Sequence, residues 1–287
     1  MMKPSQSVRQ SVRKRRASAP GLAAGALLGC LALGAGVHAS AEEVKAGPWR
    51  SLFDGRSLDG WTPKVAKHPS GENYRQTFVV DHGAIRVSYA GYDKLDGQFG
   101  HLFYKTPFKA YRLRLTYRFL TEGGLPDTPA WARSNSGIMF ASQSPQSMTV
   151  EQPFPVSVEF QLLGKEGDAP RPTGAVCTPG TTITMDGAKV KEHCTPPANA
   201  PTVPNGTWVK AELEVLPSGA ITEKINGVTI HRYADVTLDP DDTVAGGAKP
   251  YILARGAQPV TEGYIALQSE GHPIEFKDIE IQELTAR

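Results

Sequence analysis

The stretch V-S-V-E-F-Q-L-L-G at residues 156–164 constrains the fold most, because its apolar and polar residues alternate. A period of two places the apolar residues on one face of a β-strand and the polar residues on the other. The apolar face then belongs to a core. The polar face carries Glu159 and Gln161, whose side chains lie about 7 Å apart on a strand. These two side chains either bind a ligand such as a sugar or belong to an ordinary solvated sheet face.

The same alternation recurs along the chain, and no long stretch after the N-terminal segment has a helical period. Alternating or apolar runs lie at residues 111–120, 135–141, 208–216, 263–269 and 274–281. Between two further apolar runs, Asn226-Gly227 predicts a two-residue type I′ hairpin. About twelve strands at this spacing predict one all-β domain, a sandwich of two antiparallel sheets.

Residues 1–39 are interpreted as an export signal. Basic residues at 13–16 precede an apolar, glycine- and alanine-rich run at 21–37, and small residues offer cleavage after residue 39 or 41. Leu27-Leu28-Gly29-Cys30 also resembles a lipoprotein box, with cleavage before an acylated Cys30, but the apolar run continues past that cysteine. We therefore expect a periplasmic or secreted protein, with an outer-membrane lipoprotein anchored through Cys30 as the alternative.

The expected organisation is a signal over 1–39, a tether over 40–48 and a folded domain over 49–287. The whole chain has 31 Lys+Arg and 29 Asp+Glu, a formal net charge of +2. Residues 1–39 hold six of the cations and no anion, so the remainder has a net charge of −4. An acidic domain argues against a nucleic-acid partner. Membrane contact is expected only if Cys30 is lipidated.

Apart from Cys30, the chain has two cysteines, Cys177 and Cys194, seventeen positions apart within an irregular tract at 165–205. In an oxidising compartment they predict one disulfide, worth about 3 kcal/mol for a loop of this size. The neighbouring His193 does not complete a zinc site, because two cysteines and one histidine are too few ligands. A disulfide here also predicts that the tract is ordered.

Eight short motifs occur along the chain in a fixed order. They read D-G-x-x-L-D-G-W, L-R-L-x-Y-R-F, N-S-G-I-M-F, E-F-Q-L-L, T-G-A-V, W-V-K-A-E-L-E-V, I-N-G-V and G-Y-I-A-L-Q-S-E-G-H-P-I-E-F-K-D-I. This order resembles the 3-keto-disaccharide hydrolase family over about residues 52–283. The resemblance implies a concanavalin-like jelly roll with a sugar site on its concave sheet. The chain departs from the family in the 177–194 loop and at S-E-G-H, where relatives carry D-H-G.

The resemblance also implies a reaction, cleavage of the glycosidic bond of 3-keto-glycosides. A ketone at carbon 3 acidifies the hydrogen on carbon 2, so a base can remove it and the aglycone at carbon 1 then leaves by elimination, with water added afterward. This route needs one base of tuned pKa and a cation or metal that stabilises an enolate. It does not need the paired carboxylates of direct displacement.

The site residues that this chemistry implies are few. Glu159 is the candidate base or metal ligand, and His272 and His101 are the other candidate catalytic groups. The structural alternatives are a solvated strand position for the acid and plain exposure for the histidines. The candidate substrate-binding residues are Arg118, Asn135, Gln161, Gln268 and Glu270.

The cofactor is unknown. Neither H-x-H nor H-E-x-x-H occurs, but a divalent metal ion held by Glu159, Glu270 and a distant histidine is left open. The expected partner is a carbohydrate substrate. Two other functions are weighed, a lectin-like carbohydrate-binding module without turnover and an adhesion or scaffold domain, since jelly rolls host several functions.

Overall fold

The computed structural model describes residues 42–287. The predicted export signal, its cleavage positions and Cys30 lie outside the described residues. The seventeen strands are β1 (Val44–Ser51), β2 (Trp61–Val65), β3 (Phe78–Asp81), β4 (Ala84–Val87), β5 (Gly100–Tyr104), β6 (Tyr111–Phe119), β7 (Asn135–Ser142), β8 (Val158–Leu163), β9 (Val176–Cys177), β10 (Thr181–Met185), β11 (Ala188–Lys189), β12 (Cys194–Thr195), β13 (Val209–Val215), β14 (Ile221–Ile225), β15 (Val228–Leu238), β16 (Tyr264–Ser269) and β17 (Ile274–Ala286).

Helical structure within 42–287 is brief. The α-helix α1 covers Lys249–Leu253, and single 3₁₀ turns cover Tyr74–Gln76, Ala130–Ala132 and Pro145–Ser147. None of these is long and apolar enough to cross a membrane.

The strands form two antiparallel sheets. The larger sheet has the order β11-β10-β15-β14-β13-β6-β17-β4-β3, with β1 also paired to β17. The smaller sheet has the order β12-β9-β8-β7-β16-β5-β2. The predicted all-β sandwich of two antiparallel sheets is confirmed. The structure has more strands than the roughly twelve expected, because the irregular tract alone supplies β9 to β12, most of them two residues long.

The core lies between the two sheets and follows the alternation of the sequence. In β8, Val158, Phe160 and Leu162 are fully buried in the main apolar cluster. In β6 of the opposite sheet, Leu113 and Tyr117 join the same cluster. Burying each such side chain contributes about 1.5–3 kcal/mol, so period-two patterning on both sheets is enough to hold them face to face.

Local turn chemistry fixes the register of the strands. Asn226 and Gly227 have positive φ values of 49° and 81° and join β14 to β15, which confirms the predicted type I′ hairpin.

The tether expected over residues 40–48 is shorter in the structure. Val44 pairs with Ala286 and Ser51 pairs with Glu280, so residues 44–48 belong to β1. The polarity of these residues does not alternate clearly, and the strand that pairs with them, β17, lies at the other end of the sequence. A local pattern therefore did not predict this strand.

Candidate active site

A cavity of about 350 Å³ lies against the smaller sheet, on the face turned away from the core. Its polar wall consists of Asn135 on β7, Glu159 and Gln161 on β8, and Glu270 directly after β16. Three adjacent strands therefore deliver these side chains, because β8, β7 and β16 are neighbours in the sheet. Residues on one face of a strand recur every second position, which places Glu159 and Gln161 together.

A glycine makes room for the acid in the middle of this wall. In the β7–β8 ladder, Gly137 pairs with Gln161 and Met139 with Glu159. A Cβ atom on Gly137 would lie 2.5 Å from Oε1 of Glu159, closer than van der Waals contact allows. The carboxylate of Glu159 thus folds over the bare backbone of Gly137.

Glu159 and Glu270 form a buried acid pair. Their residues are only 6% and 3% exposed. Burial raises the pKa of the Glu159 carboxyl to about 8. Burial also raises the pKa of Glu270 well above its usual value, the Glu159 charge raises it further, and Arg171 opposes the shift. Two carboxylates in one low-dielectric cavity repel each other, so the pair retains a proton at neutral pH.

Several buried polar atoms on this face have no hydrogen-bond partner among residues 42–287. They are Oε1 of Glu159, Oε2 of Glu270, Oδ1 of Asn135, both amide atoms of Gln268 and both ring nitrogens of His101. Buried polar atoms in proteins are nearly always paired. Their concentration on one sheet face points to a ligand rich in hydroxyl groups, or a cation, as the missing partner.

The structure brings four of the predicted site residues together, Asn135, Glu159, Gln161 and Glu270. Gln268 lies on the same sheet face, opposite His101 in the β16–β5 ladder. His101 is fully buried and does not line the cavity. Burial, with a smaller effect of Lys64, lowers the pKa of His101 to about 3, so its ring is neutral. His101 therefore lies beneath the floor of the site, beside Gln268, and is not part of the cavity wall.

The expectation of His272 as an accessible base is not met. Its Nε2 lies 3.0 Å from the carbonyl oxygen of Leu120, and its ring meets the Phe119 ring edge-on at 5.7 Å. Burial lowers the pKa of His272. The ring is buried and held by the chain around it, which gives it a structural role.

The expectation of Arg118 as a substrate-binding residue is also not met. Arg118 lies on β6 of the larger sheet, on the face turned away from the core. Its Nε lies 2.7 Å from Glu275 Oε2, and its guanidinium stacks 4.4 Å above the ring of Trp208. The alternation was read correctly, but β6 belongs to the other sheet.

The rest of the cavity lining is less polar, and Trp131, Phe154, Pro179 and Val244 in it were not among the predicted site residues. Trp131 and Phe154 come from the loops before and after β7, and Val244 from the loop before α1. Pro179, His193 and Cys194 come from the irregular tract. Arg171 was also missed, although its Nη atoms donate to the carbonyl oxygens of Ser134, Gly164 and Trp131.

The predicted disulfide is confirmed and lies beside the acid pair. Cys177 is the ladder partner of both Cys194 and Glu159. Cys177, His193 and Cys194 are also the one group of three potential His, Cys, Asp or Glu metal ligands found close together within residues 42–287. Because both sulfurs are bonded to each other, this group does not form a zinc site.

A sandwich of two antiparallel sheets with an acid-containing polar cavity against one of them has the architecture of a jelly roll. More specifically, residues 48–282 match the 3-keto-alpha-glucoside-1,2-lyase-like domain, and the chain belongs to that family.

The similar solved structures are distant in sequence. A proposed glycosyl hydrolase from Parabacteroides distasonis is 17% identical with a TM-score of 0.50, covering 83% of this chain and 94% of that chain. A Bacillus subtilis protein of unknown function with a galectin-like fold is 13% identical with a TM-score of 0.49, covering 85% of this chain and 100% of that chain. The first of these likenesses shows the fold alone. No curated protein sequence matches the chain.

Proposed function

We propose that this protein is an exported enzyme that cleaves the glycosidic bond of 3-keto-α-glucosides by elimination. The observation that carries the proposal is the buried pair of Glu159 and Glu270 on the wall of a cavity lined with carboxamides. The family to which the chain belongs supports the choice of sugar. A raised pKa suits a general base that works near neutral pH.

Glu159 is the base in this proposal. With a pKa of about 8, its carboxyl group is ionised in a minority of molecules at neutral pH, and this ionised form removes the proton from carbon 2 of the sugar. The electron pair of that C–H bond moves into an enolate with the oxygen at carbon 3. The enolate then collapses, the ketone re-forms, a double bond forms between carbons 1 and 2, and the bond from carbon 1 to the aglycone oxygen breaks. The products are an unsaturated keto sugar, to which water can add, and the free aglycone.

Glu270 supplies the complementary acid. The charge of Glu159 raises the pKa of Glu270, so Glu270 stays protonated when Glu159 is ionised and donates that proton to the departing aglycone oxygen. The carboxamides of Asn135 and Gln161 flank the pair and are suited to hold sugar hydroxyls or the developing enolate oxygen.

The unpaired oxygens of the site also fit a hard divalent cation. The residues that would hold it are Glu159 and Glu270 through their carboxylates and Asn135 and Gln268 through their amide oxygens, a set that suits such an ion. When bound, the ion would relieve the repulsion within the acid pair and act as a Lewis acid toward the ketone.

The alternative function is a carbohydrate-binding module without turnover. The observation that favours it is the exposed indole ring of Trp131 at the cavity, since flat aromatic surfaces are common in sugar-binding sites. A binding module gives no reason for two acids to be buried together with unpaired atoms, which favours the enzyme.

The test is incubation with a 3-keto-α-glucoside, with and without a chelator, while aglycone release is measured. We expect release, a slower reaction when carbon 2 carries deuterium, and a loss of about 10³-fold in kcat for Glu159→Gln. The matched control is Glu283→Gln, because Glu283 is exposed on β17 and pairs with Arg50. Binding without release under either condition would establish the binding module, and unchanged turnover of Glu159→Gln would remove that residue from the mechanism.

A further inference from the structure

The cavity is small for the substrate that the proposed function requires. Its volume of about 350 Å³ is near the lower end of the roughly 300–1,000 Å³ range of small-molecule sites. It can enclose one sugar ring and the atoms bonded to it. The remainder of a glycoside must extend past the rim, so the residues of the rim contact the aglycone.

The rim carries an exposed aromatic side chain. Trp131 lines the cavity and is 53% exposed, and it is one of four large hydrophobic residues that are exposed among residues 42–287. The other three, Val150, Val228 and Leu253, do not line this cavity. Leaving an indole ring in water forgoes the stabilisation of burying it, so its place at the mouth of the site points to a ligand.

The indole ring is held in place from below. The ring of Trp131 packs on that of Phe99 at 5.5 Å between centroids, and Phe99 stacks on Phe154 at 5.1 Å. We name these three rings the aromatic shelf. Trp131 and Phe154 both line the cavity, so the shelf extends from its wall to its rim.

The backbone beneath the indole is fixed as well. The carbonyl oxygen of Trp131 accepts hydrogen bonds from Nδ2 of Asn135 and from Nη2 of Arg171, both at 3.2 Å. Pro129, whose ring fixes its own φ angle, directly precedes the 3₁₀ turn that carries Trp131. A side chain that is anchored in this way loses little freedom on binding, which is the property of a preorganised contact surface.

From this arrangement we propose that Trp131 forms the aglycone subsite and selects glycosides whose aglycone presents a flat, apolar face. The inference rests on the proposed function for the position of the sugar ring beside Glu159. The composition of the cavity lining agrees with it: the acids and carboxamides lie on β7, β8 and the end of β16, whereas Trp131, Phe154, Pro179 and Val244 are apolar. Stacking on an aromatic ring adds to the gain from buried area alone.

The test compares the benzyl and methyl 3-keto-α-glucosides. Benzyl alcohol and methanol are leaving groups of similar acidity, so a difference between the two substrates reports the contact with the ring and not the chemistry of departure. We expect the wild type to prefer the benzyl glucoside by about tenfold in kcat/KM, and Trp131→Ala to lose this preference while the methyl glucoside is affected by less than about threefold. Trp131→Phe keeps a flat ring and should retain most of the preference.

The matched control is Trp208→Ala, because Trp208 stacks on Arg118 and Lys277 on the far face of the larger sheet and should not change the preference. Calorimetric binding of both glucosides to Glu159→Gln, with and without Trp131→Ala, separates this proposal from the proposed function. Benzyl-selective binding that requires Trp131, without turnover by the wild type, would support the subsite and reject the enzyme. Equal binding of the two glucosides, no binding of either, or a benzyl preference that survives Trp131→Ala would overturn the subsite.

Discussion

Gly137→Ala is expected to displace the acid that the proposed reaction depends on. A Cβ atom at this position would lie 2.5, 2.7 and 2.9 Å from Oε1, Cγ and Cδ of Glu159. The backbone of β7 cannot retreat, because it is paired with β8 on one side and with β16 on the other. The side chain of Glu159 must therefore move.

The size of the effect follows from these distances. Restoring carbon contacts of about 3.5 Å requires a shift of about 1 Å in the Glu159 side chain. A displacement of that size at a catalytic group costs about 10²-fold in rate. Overpacking costs about 1–3 kcal/mol of folding free energy, and replacing glycine by alanine in a strand returns about 0.5–1 kcal/mol. The variant should therefore fold, with kcat reduced about 100-fold.

The assay is steady-state aglycone release together with a thermal melt. Gly123→Ala is the matched control, since a Cβ atom there would meet nothing within 4 Å. Adding Glu159→Asp to Gly137→Ala shortens the side chain that clashes, so the double variant should be more active than the product of the two single effects. A Gly137→Ala enzyme within about threefold of the wild type would refute the reasoning, because Glu159 would then not need its observed position.

Three further expectations concern the same residues and their surroundings. The free energy of unfolding should fall as pH rises from 4.5, the ordinary pKa of a glutamate, to about 8. Within this window Glu159 ionises in the unfolded chain, while burial keeps it protonated in the folded state. Urea titrations across the window should show a flatter dependence on pH for Glu159→Gln than for the wild type, and parallel profiles would contradict this. Replacing Cys177 and Cys194 together by serine should lower the free energy of unfolding by about 3 kcal/mol and lower kcat/KM, and dithiothreitol should affect only the wild type. Arg118→Ala should leave kcat/KM unchanged, because Arg118 lies on the outer face of the other sheet. It should lower the free energy of unfolding, measured by urea titration, by about 1 kcal/mol, since the buried carboxylate of Glu275 keeps Arg86 as a partner. A large loss of activity would place Arg118 in the site after all.

Much of the fold and part of the site could be predicted from local pattern. Alternation identified β6 and β8, Asn226-Gly227 identified a hairpin, and a cysteine pair in a loop-rich tract identified the disulfide. Glu159 and Gln161 could be placed on one face because a strand repeats every second residue.

The remainder depends on contacts between distant segments. The alternation around Arg118 shows that the strand has two faces but not which sheet the strand joins. The sequence therefore could not show that Arg118 lies outside the cavity. Trp131 and Arg171 lie in irregular segments, whose paths are set by tertiary contacts such as the hydrogen bond between them. His272 is in a turn, where sequence pattern does not show that Leu120 and Phe119 enclose it.

The position of β17 has a consequence for how the protein folds during its synthesis. This last strand lies inside the larger sheet, between β6 and β4, and it also holds β1. Until the ribosome has released residues 274–286, β1 has no partner, and β6 and β4 each have one open edge that is exposed to other chains. The larger sheet can therefore close only after residues 274–286 have been made, and a chain truncated before residue 274 should aggregate instead of folding in part.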